Sequence, residues 1–215
     1  MAKFMGILVE KRNGILMVGA HQASRIVAKY LTNHNNKVIL LDSNINNIQK
    51  CTDLGLAAYK ADIYNDNDLS SILELNDMGF LMAMTGSMDV NKYALEKLSA
   101  KYGQNGAYRL LAINEIRNPE KIEDSALFSK TDDYINFSEV GRDYPQIHEI
   151  QITDADHLNT LFEIAHQQEK IIPLFIKKKE NIEMITALKS DYQLDGEAFF
   201  AVSYTHLTLP TKRIV

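Results

Sequence analysis

The 215-residue chain has one cysteine, Cys51, four prolines and no tryptophan. A single cysteine cannot close a disulfide, so the fold must be held by its core, and that usage fits a reducing compartment. No apolar stretch approaches the roughly 20 residues that a membrane helix needs. The opening MAKFMGILVEKRNG returns to charge after a short apolar patch, too soon for the apolar region of a signal peptide. Basic residues are not in excess. Lys and Arg number 23 against 28 Asp and Glu, a net charge of −5. With no basic stripe either, a nucleic-acid partner is not expected. His21, His34, His148, His157, His166 and His206 show no spacing that sets two ligands on one helix face with a third nearby, so no metal site is expected. No Ser-His-Asp or Cys-His arrangement is legible, and no catalytic residue is assigned. What the chain does have is 46% hydrophobic residues, enough for a sizeable core.

Those residues alternate by period. ILMVG (15–19) is a bare apolar run, as expected of a strand buried on both faces. Gln22 to Asn33 reads as a helix, with Ala23, Ile26, Val27, Tyr30 and Leu31 on one stripe. Strands follow at 37–42, 57–62, 79–85 and 107–113, with helices at 45–54, 66–75 and 90–102 between them. Strand–helix alternation with short connections predicts a parallel sheet covered on both faces. The pattern breaks after Asn114. Residues 114–133 are polar and read as a linker or loose helical segment. Strands are then expected at 133–139, 148–152, 171–178, 182–188 and 196–202, with one helix at 154–168. The overall expectation is α/β: a Rossmann-like parallel sheet with helices on both faces over residues 12–113, a linker, and a small α+β module over 134–203. The tail, 204–215, has no periodic face and resembles sequence read through from a cloning adapter.

Four features sit where such a sheet binds nucleotides. The first is the turn Gly19-Ala20-His21-Gln22-Ala23-Ser24. Gly19 follows the strand directly and can take tight-turn dihedrals, and Ser24 is small where helix and sheet must pack closely. The first amides of the next helix would face an anionic phosphate, and Arg25 could add a positive charge. The second is Asp42, followed by Ser43, 23 residues after Gly19. That is near the spacing of the acid that accepts hydrogen bonds from ribose hydroxyls. No arginine follows to meet a 2′-phosphate, which favours NAD(H) or an adenine nucleotide such as ATP or AMP over NADP. The third is Ala61-Asp62-Ile63 at the end of the third strand, within reach of an adenine or ribose edge. The fourth is Thr85-Gly86-Ser87, with Asp89 and Asn91 just beyond. His21 is discordant, because the second glycine of such a turn lets a pyrophosphate approach the backbone. Its imidazole could instead hydrogen-bond a phosphate, and a free pKa near 6.5 would make that contact pH-dependent.

The stretches GILMVGAHQASRIVAKYL, VILLDSN, GLAAYKADIYND and MTGSMDVNKYALEKLSAKYG resemble the TrkA-N (RCK, or KTN) regulatory domain carried by bacterial NhaP-type cation:proton antiporters. The likeness covers about residues 12 to 113. It implies NAD(H) or adenine nucleotide as ligand, and phosphate contacts at Gly19, His21 and Ser24. Asp42 would contact the ribose, Asp62 and Ile63 the adenine side, and Thr85 the ligand's far half. It also implies a homodimer or higher oligomer, and a membrane-embedded antiporter, as separate subunit or fused domain, that receives the ligand state at the inner face of the cell membrane. MAKFMGILVEKRNG would then be the linker below the last membrane helix.

A soluble NAD-dependent oxidoreductase uses the same fold, so fold alone does not decide. Tyr93-Ala94-Leu95-Glu96-Lys97 has the Tyr-x-x-x-Lys spacing of short-chain dehydrogenases. It opens the helix after the fourth strand, whereas those enzymes place it after the fifth.

Overall fold

A strand with no polar face has to be buried on both sides. The computed structural model puts GILMV there. β1, Gly14–Val18, is the middle strand of a five-stranded parallel sheet. The structure describes residues 12–72, 77–168, 171–179, 181–194 and 196–204. Around β1 lie β2 (Val38–Asp42), β3 (Ala57–Lys60), β4 (Met78–Ala83) and β5 (Gly106–Arg109), in the order β3-β2-β1-β4-β5. The winding direction therefore reverses between β1 and β4, where a doubly wound sheet opens a crevice at its carboxyl edge.

Alternate side chains leave a strand by opposite faces. Ile15 and Met17 join Ala23, Val27 and Leu31 of α1 (Gln22–Asn33) and Cys51 of α2 (Ile45–Asp53) on one face. Leu16 and Val18 join Leu69 of α3 (Asp66–Ile72) and Ala94 and Leu98 of α4 (Met88–Tyr102) on the other. Two of these helices start at side-chain caps. Asn44 accepts from the Asn46 amide, and Ser87 accepts from the Val90 amide. The end of the third expected helix, 73–75, lies outside the described residues, as do 1–11 and 205–215, and with them the expectations of a membrane-proximal linker and a foreign tail.

Residues 114–133, expected as linker, run over the surface in their first half and are anchored in the interior in their second. After α5 (Ile113–Ile116) and a 3-10 turn at Pro119–Lys121, the side chains of Ala126, Leu127 and Phe128 are fully buried. Ala126 bridges to Arg109 of β5 and Leu127 to Thr186, so the segment is a seam between two sheets. Its acids misled the reading, because Glu115 and Glu123 are partners of Arg109, which is 1% exposed. The strand expected at 133–139 is also corrected: it is a helix, α6 (Tyr134–Asp143). Asp133 caps it by accepting from the Asn136 amide, and Phe137, Val140 and Gly141 fall on one buried face at three- and four-residue spacing.

The second sheet is antiparallel. It contains β6 (His148–Ile152), β7 (Ile171–Lys178), β8 (Ile182–Met184) and β9 (Ala198–Tyr204), in the order β6-β9-β7-β8. β8 is shorter than the run expected at 182–188. α7 (Ala155–Gln167) covers one face through Leu158, Leu161 and Ala165. The other face sends Ile172, Leu174, Phe175 and Ala201 into the same core as β1 and α1. The Tyr30 ring of α1 stacks on Phe175 at 5.6 Å between centroids. Its hydroxyl donates to Glu149 of β6, which also pairs with Lys177 of β7. Thus α1, which follows the turn at the crevice, is tied to the second sheet at its C-terminal end.

Candidate functional site

β1 ends at Val18, and the chain must turn over the sheet edge to begin α1. Gly19 makes that turn at φ +99°, where a side chain would be strained. The ends of β1, β2, β3 and β4 then enclose a cleft of about 320 Å³. Gly19, His21, Asp42, Ser43, Asp62, Ile63, Thr85 and Gly86 line it, as the sequence placed them. Ala20, Gln22, Ala23 and Ser24 do not. Ala20 is fully buried. Gln22 is exposed and faces a separate groove between α1 and α2, with its amide donating to the Gly141 carbonyl. Ala23 packs against Gly141 of α6. Ser24 is buried, and its hydroxyl has no hydrogen-bond partner among the described residues. Arg25 does not line the cleft either. At 8% exposed, it turns back and donates Nη1 to the Ala20 carbonyl at 2.5 Å. Among the described residues, no lysine or arginine lines the cleft.

Ser87 of the fourth feature lines it too, as do Asn47, Tyr64, Val90 and Tyr134, which the sequence did not mark as site residues. Asn47 was findable, one turn into the helix that follows Asp42. Tyr134 was not, because its segment was read as a strand far from the site.

The polar groups are tied to one another. Asp42 Oδ2 accepts from the Ala20 amide at 2.8 Å and from Asn47 Nδ2 at 3.0 Å, while Oδ1 accepts from the Asn44 amide at 2.8 Å. A carboxylate has about four acceptor sites, so one remains for a hydroxyl donor. The Asp62 amide donates to Asp68 Oδ2 at 3.1 Å, and Asp62 Oδ1 accepts from the Tyr64 amide. The loop at Thr85 is clamped by Asn91, which is fully buried. Asn91 Nδ2 donates to the carbonyls of Thr85 and Leu110, and its Oδ1 accepts from the Thr85 amide and hydroxyl. All four of its hydrogen-bonding positions are used.

His21 departs from its expected role. Its Nε2 lies 2.7 Å from the Met84 carbonyl oxygen. A carbonyl only accepts, so Nε2 carries the proton and Nδ1 presents a lone pair. Burial holds its pKa down to about 4, against a partial rise from the Met84 bond. A neutral ring with its one N–H committed to Met84 has no donor left for a phosphate. The ring instead stands edge-on to Tyr134 at 5.0 Å and to Phe137 at 5.8 Å.

Tyr93 and Lys97 do not line the cleft. Lys97 Nζ donates to the Tyr93 hydroxyl at 3.2 Å and to the Ile63 carbonyl, and it pairs with Asp66 at 2.5 Å. The pair ties α4 to the loop before α3. Among the described residues, no group of three or more His, Cys, Asp or Glu is placed to hold a metal, and no helix is long and apolar enough to cross a membrane.

A profile of the TrkA-N domain matches residues 15–128. No curated protein matches the chain by sequence. Among solved structures, one described as "Crystal Structure of the GsuK RCK domain" is similar over 91% of this chain, with 10% identity and a TM-score of 0.40. A second, "GsuK channel bound to NAD", covers 91% at 9% identity with the same TM-score. This chain spans 46% and 38% of those two chains, less than half their length.

Proposed function

The chain belongs to the TrkA-N domain family, and from that membership we propose that it is a nucleotide-sensing regulatory domain with no catalysis of its own. Its ligand is NAD(H) or an adenine nucleotide. Its partner is a membrane-embedded cation:proton antiporter for sodium or potassium, held at the cytoplasmic face of the cell membrane, with the domain acting as a homodimer or higher oligomer. The observation that carries this reading is the convergence of the Gly19 turn, Asp42, Asp62 and the Thr85 loop on one cleft at the carboxyl edge of the sheet.

In this reading Asp42 accepts from a ribose hydroxyl, the base lies along Ala61–Tyr64, and phosphate meets the turn at Gly19 and His21 ahead of α1, at the helix end whose dipole favours an anion. A ligand can shift a transporter only if it binds two arrangements of the domain unequally. The internal bonds supply that inequality. A ribose hydroxyl at the remaining acceptor site of Asp42 competes with the Ala20 amide for the same carboxylate, and a ligand contact at the Asp62 amide competes with Asp68. The turn at the head of α1 is then released, and α1 is the helix fixed to the second sheet through Tyr30 and Phe175. The Thr85 loop, already clamped by Asn91, is the fixed side of the cleft.

Titration calorimetry of the purified chain with AMP, ATP, NAD and NADH tests the reading. At least one should bind saturably, and Asp42→Ala should weaken it about tenfold or more, as loss of a charged hydrogen-bond partner does. Absence of binding to all four would remove the sensor.

A further inference from the structure

We propose that the cleft takes one nucleoside with its 5′-phosphate and rejects a dinucleotide, because His21 and Tyr134 wall off the half of the crevice that a second nucleoside would occupy. The inference rests on the nucleotide reading above and narrows its ligand class.

In a doubly wound sheet, the two halves of a dinucleotide lie on either side of the switch point, one over each group of strand ends. Here that point lies between β1 and β4. On the β2–β3 side the edge is open, and the cleft is lined by Asp42, Ser43 and 61–64. On the β4–β5 side, no residue from the end of β5 lines it. Leu110 and Leu111 there are fully buried, and the Leu111 carbonyl accepts from the Tyr134 amide at 3.0 Å. The chain that starts α6 therefore lies where the second nucleoside would go.

The wall is continuous. From the turn, His21 reaches across the switch point to the Met84 carbonyl. Its ring meets the edges of Tyr134 and Phe137. Tyr134 in turn lies on Gly86, so closely that a Cβ there would sit 2.9 Å from its ring. What remains, about 320 Å³, is at the lower end of the range of small-molecule pockets, about 300–1,000 Å³. The electrostatics act on phosphate number. The cleft carries Asp42 and Asp62, no cation among the described residues, and a His21 ring that burial keeps neutral. They disfavour a longer phosphate chain such as that of ATP, while the rejection of NAD, whose pyrophosphate carries no more charge than a 5′-phosphate, is steric.

The test compares AMP with NAD by calorimetry on wild type, His21→Gly and Tyr134→Ala, with thermal melts to confirm that each variant folds. Wild type should bind AMP saturably and NAD at least about tenfold more weakly, and His21→Gly or Tyr134→Ala should bring the two affinities to within about threefold by removing the steric discrimination. A gain in NAD binding cannot come from unfolding. Wild type binding NAD as tightly as AMP would overturn the proposal, as would two folded variants that both keep the wild-type ratio. Failure of AMP, ATP, NAD and NADH alike to bind would remove the nucleotide reading and this inference with it.

Discussion

The two halves of one sheet edge have had different fates. Over β2 and β3 the strand ends carry Asp42 and Asp62 and stand open. Over β4 and β5 the same frame is closed by a segment more than a hundred residues away in sequence from the Gly19 turn, the start of α6. The open half is polar and held by hydrogen bonds among its own loops, each worth about 0.5–1.5 kcal/mol net. The closed half is aromatic, built from Phe128, Phe137, Tyr134 and the His21 ring. A polar surface whose bonds can be exchanged suits a ligand that comes and goes. A packed aromatic seam does not, since opening it forfeits buried area. A Rossmann frame therefore fixes where ligands bind, and what its neighbours stack on each half fixes how much ligand fits.

The sharpest way to break this contrast is to loosen the closed half. Phe137 is 2% exposed and packs on both His21 and Phe128. Phe137→Ala should cost about 3–5 kcal/mol, the usual range for emptying a buried aromatic site, measured by urea denaturation. A loss under about 1 kcal/mol would mean that α6 is not a fixed cover.

pH separates two groups of the closed half that are buried in opposite senses. Burial holds His21 down to about 4, against 6.5 when unfolded. Between those values the unfolded chain keeps the proton and the folded chain does not. The His21 contribution to stability is thus full above pH 6.5 and is lost as pH falls toward 4. Burial pushes Asp132, 3% exposed, up to about 7 from 3.8, although hydrogen bonds from Ser129 and Asn136 oppose the rise. There the folded chain keeps the proton, so its contribution is full below pH 3.8 and is lost as pH rises toward 7. Each is on the order of 3 kcal/mol, and between pH 4 and 6.5 they oppose one another. Wild-type stability should be nearly flat across that window. His21→Gln should leave a stability that falls with rising pH, and Asp132→Asn one that rises. Two variants with parallel, flat profiles would show that neither group is buried as described.

The open half was the legible half. Its strands are bare apolar runs, Gly19 marks a turn that needs a positive φ, and Asp42 ends a strand, so residue type alone located the crevice. The closed half left little to read. DYINFSE offers apolar residues at positions that suit a strand as well as a helix, and Ile135, which strengthens that impression, is exposed. The hold on His21 comes from the Met84 carbonyl, 63 residues away, and a backbone oxygen carries no side-chain signature. The same holds for Asp42, whose bond to the Ala20 amide takes up part of the acceptor capacity assigned to ribose. The polar stretch 114–133 hid the burial of its second half, because two of its acids, Glu115 and Glu123, are counter-ions of Arg109 and a third, Asp133, caps α6.

The smallest expected effect belongs to the motif that most resembled an active site. Tyr93→Phe removes a hydroxyl that accepts from Lys97 at 3.2 Å. Lys97 keeps Asp66 and the Ile63 carbonyl, and the ring at position 93 keeps its contact with Tyr64 at 4.5 Å. One neutral acceptor near the surface, with its donor otherwise satisfied, is worth about 0.5 kcal/mol or less. AMP affinity should stay within about twofold, since the hydroxyl lies outside the cleft and removing an uninvolved group changes no bound-state contact. The variant is informative because Tyr64 stands between the two places, lining the cleft while touching Tyr93. Tenfold weaker nucleotide binding in a fully folded Tyr93→Phe would mean that the ligand extends past Tyr64 to the Tyr93–Lys97 pair. The open half would then be larger than the one-nucleoside cleft, and a reductase-like arrangement of tyrosine, lysine and nucleotide would have to be considered again.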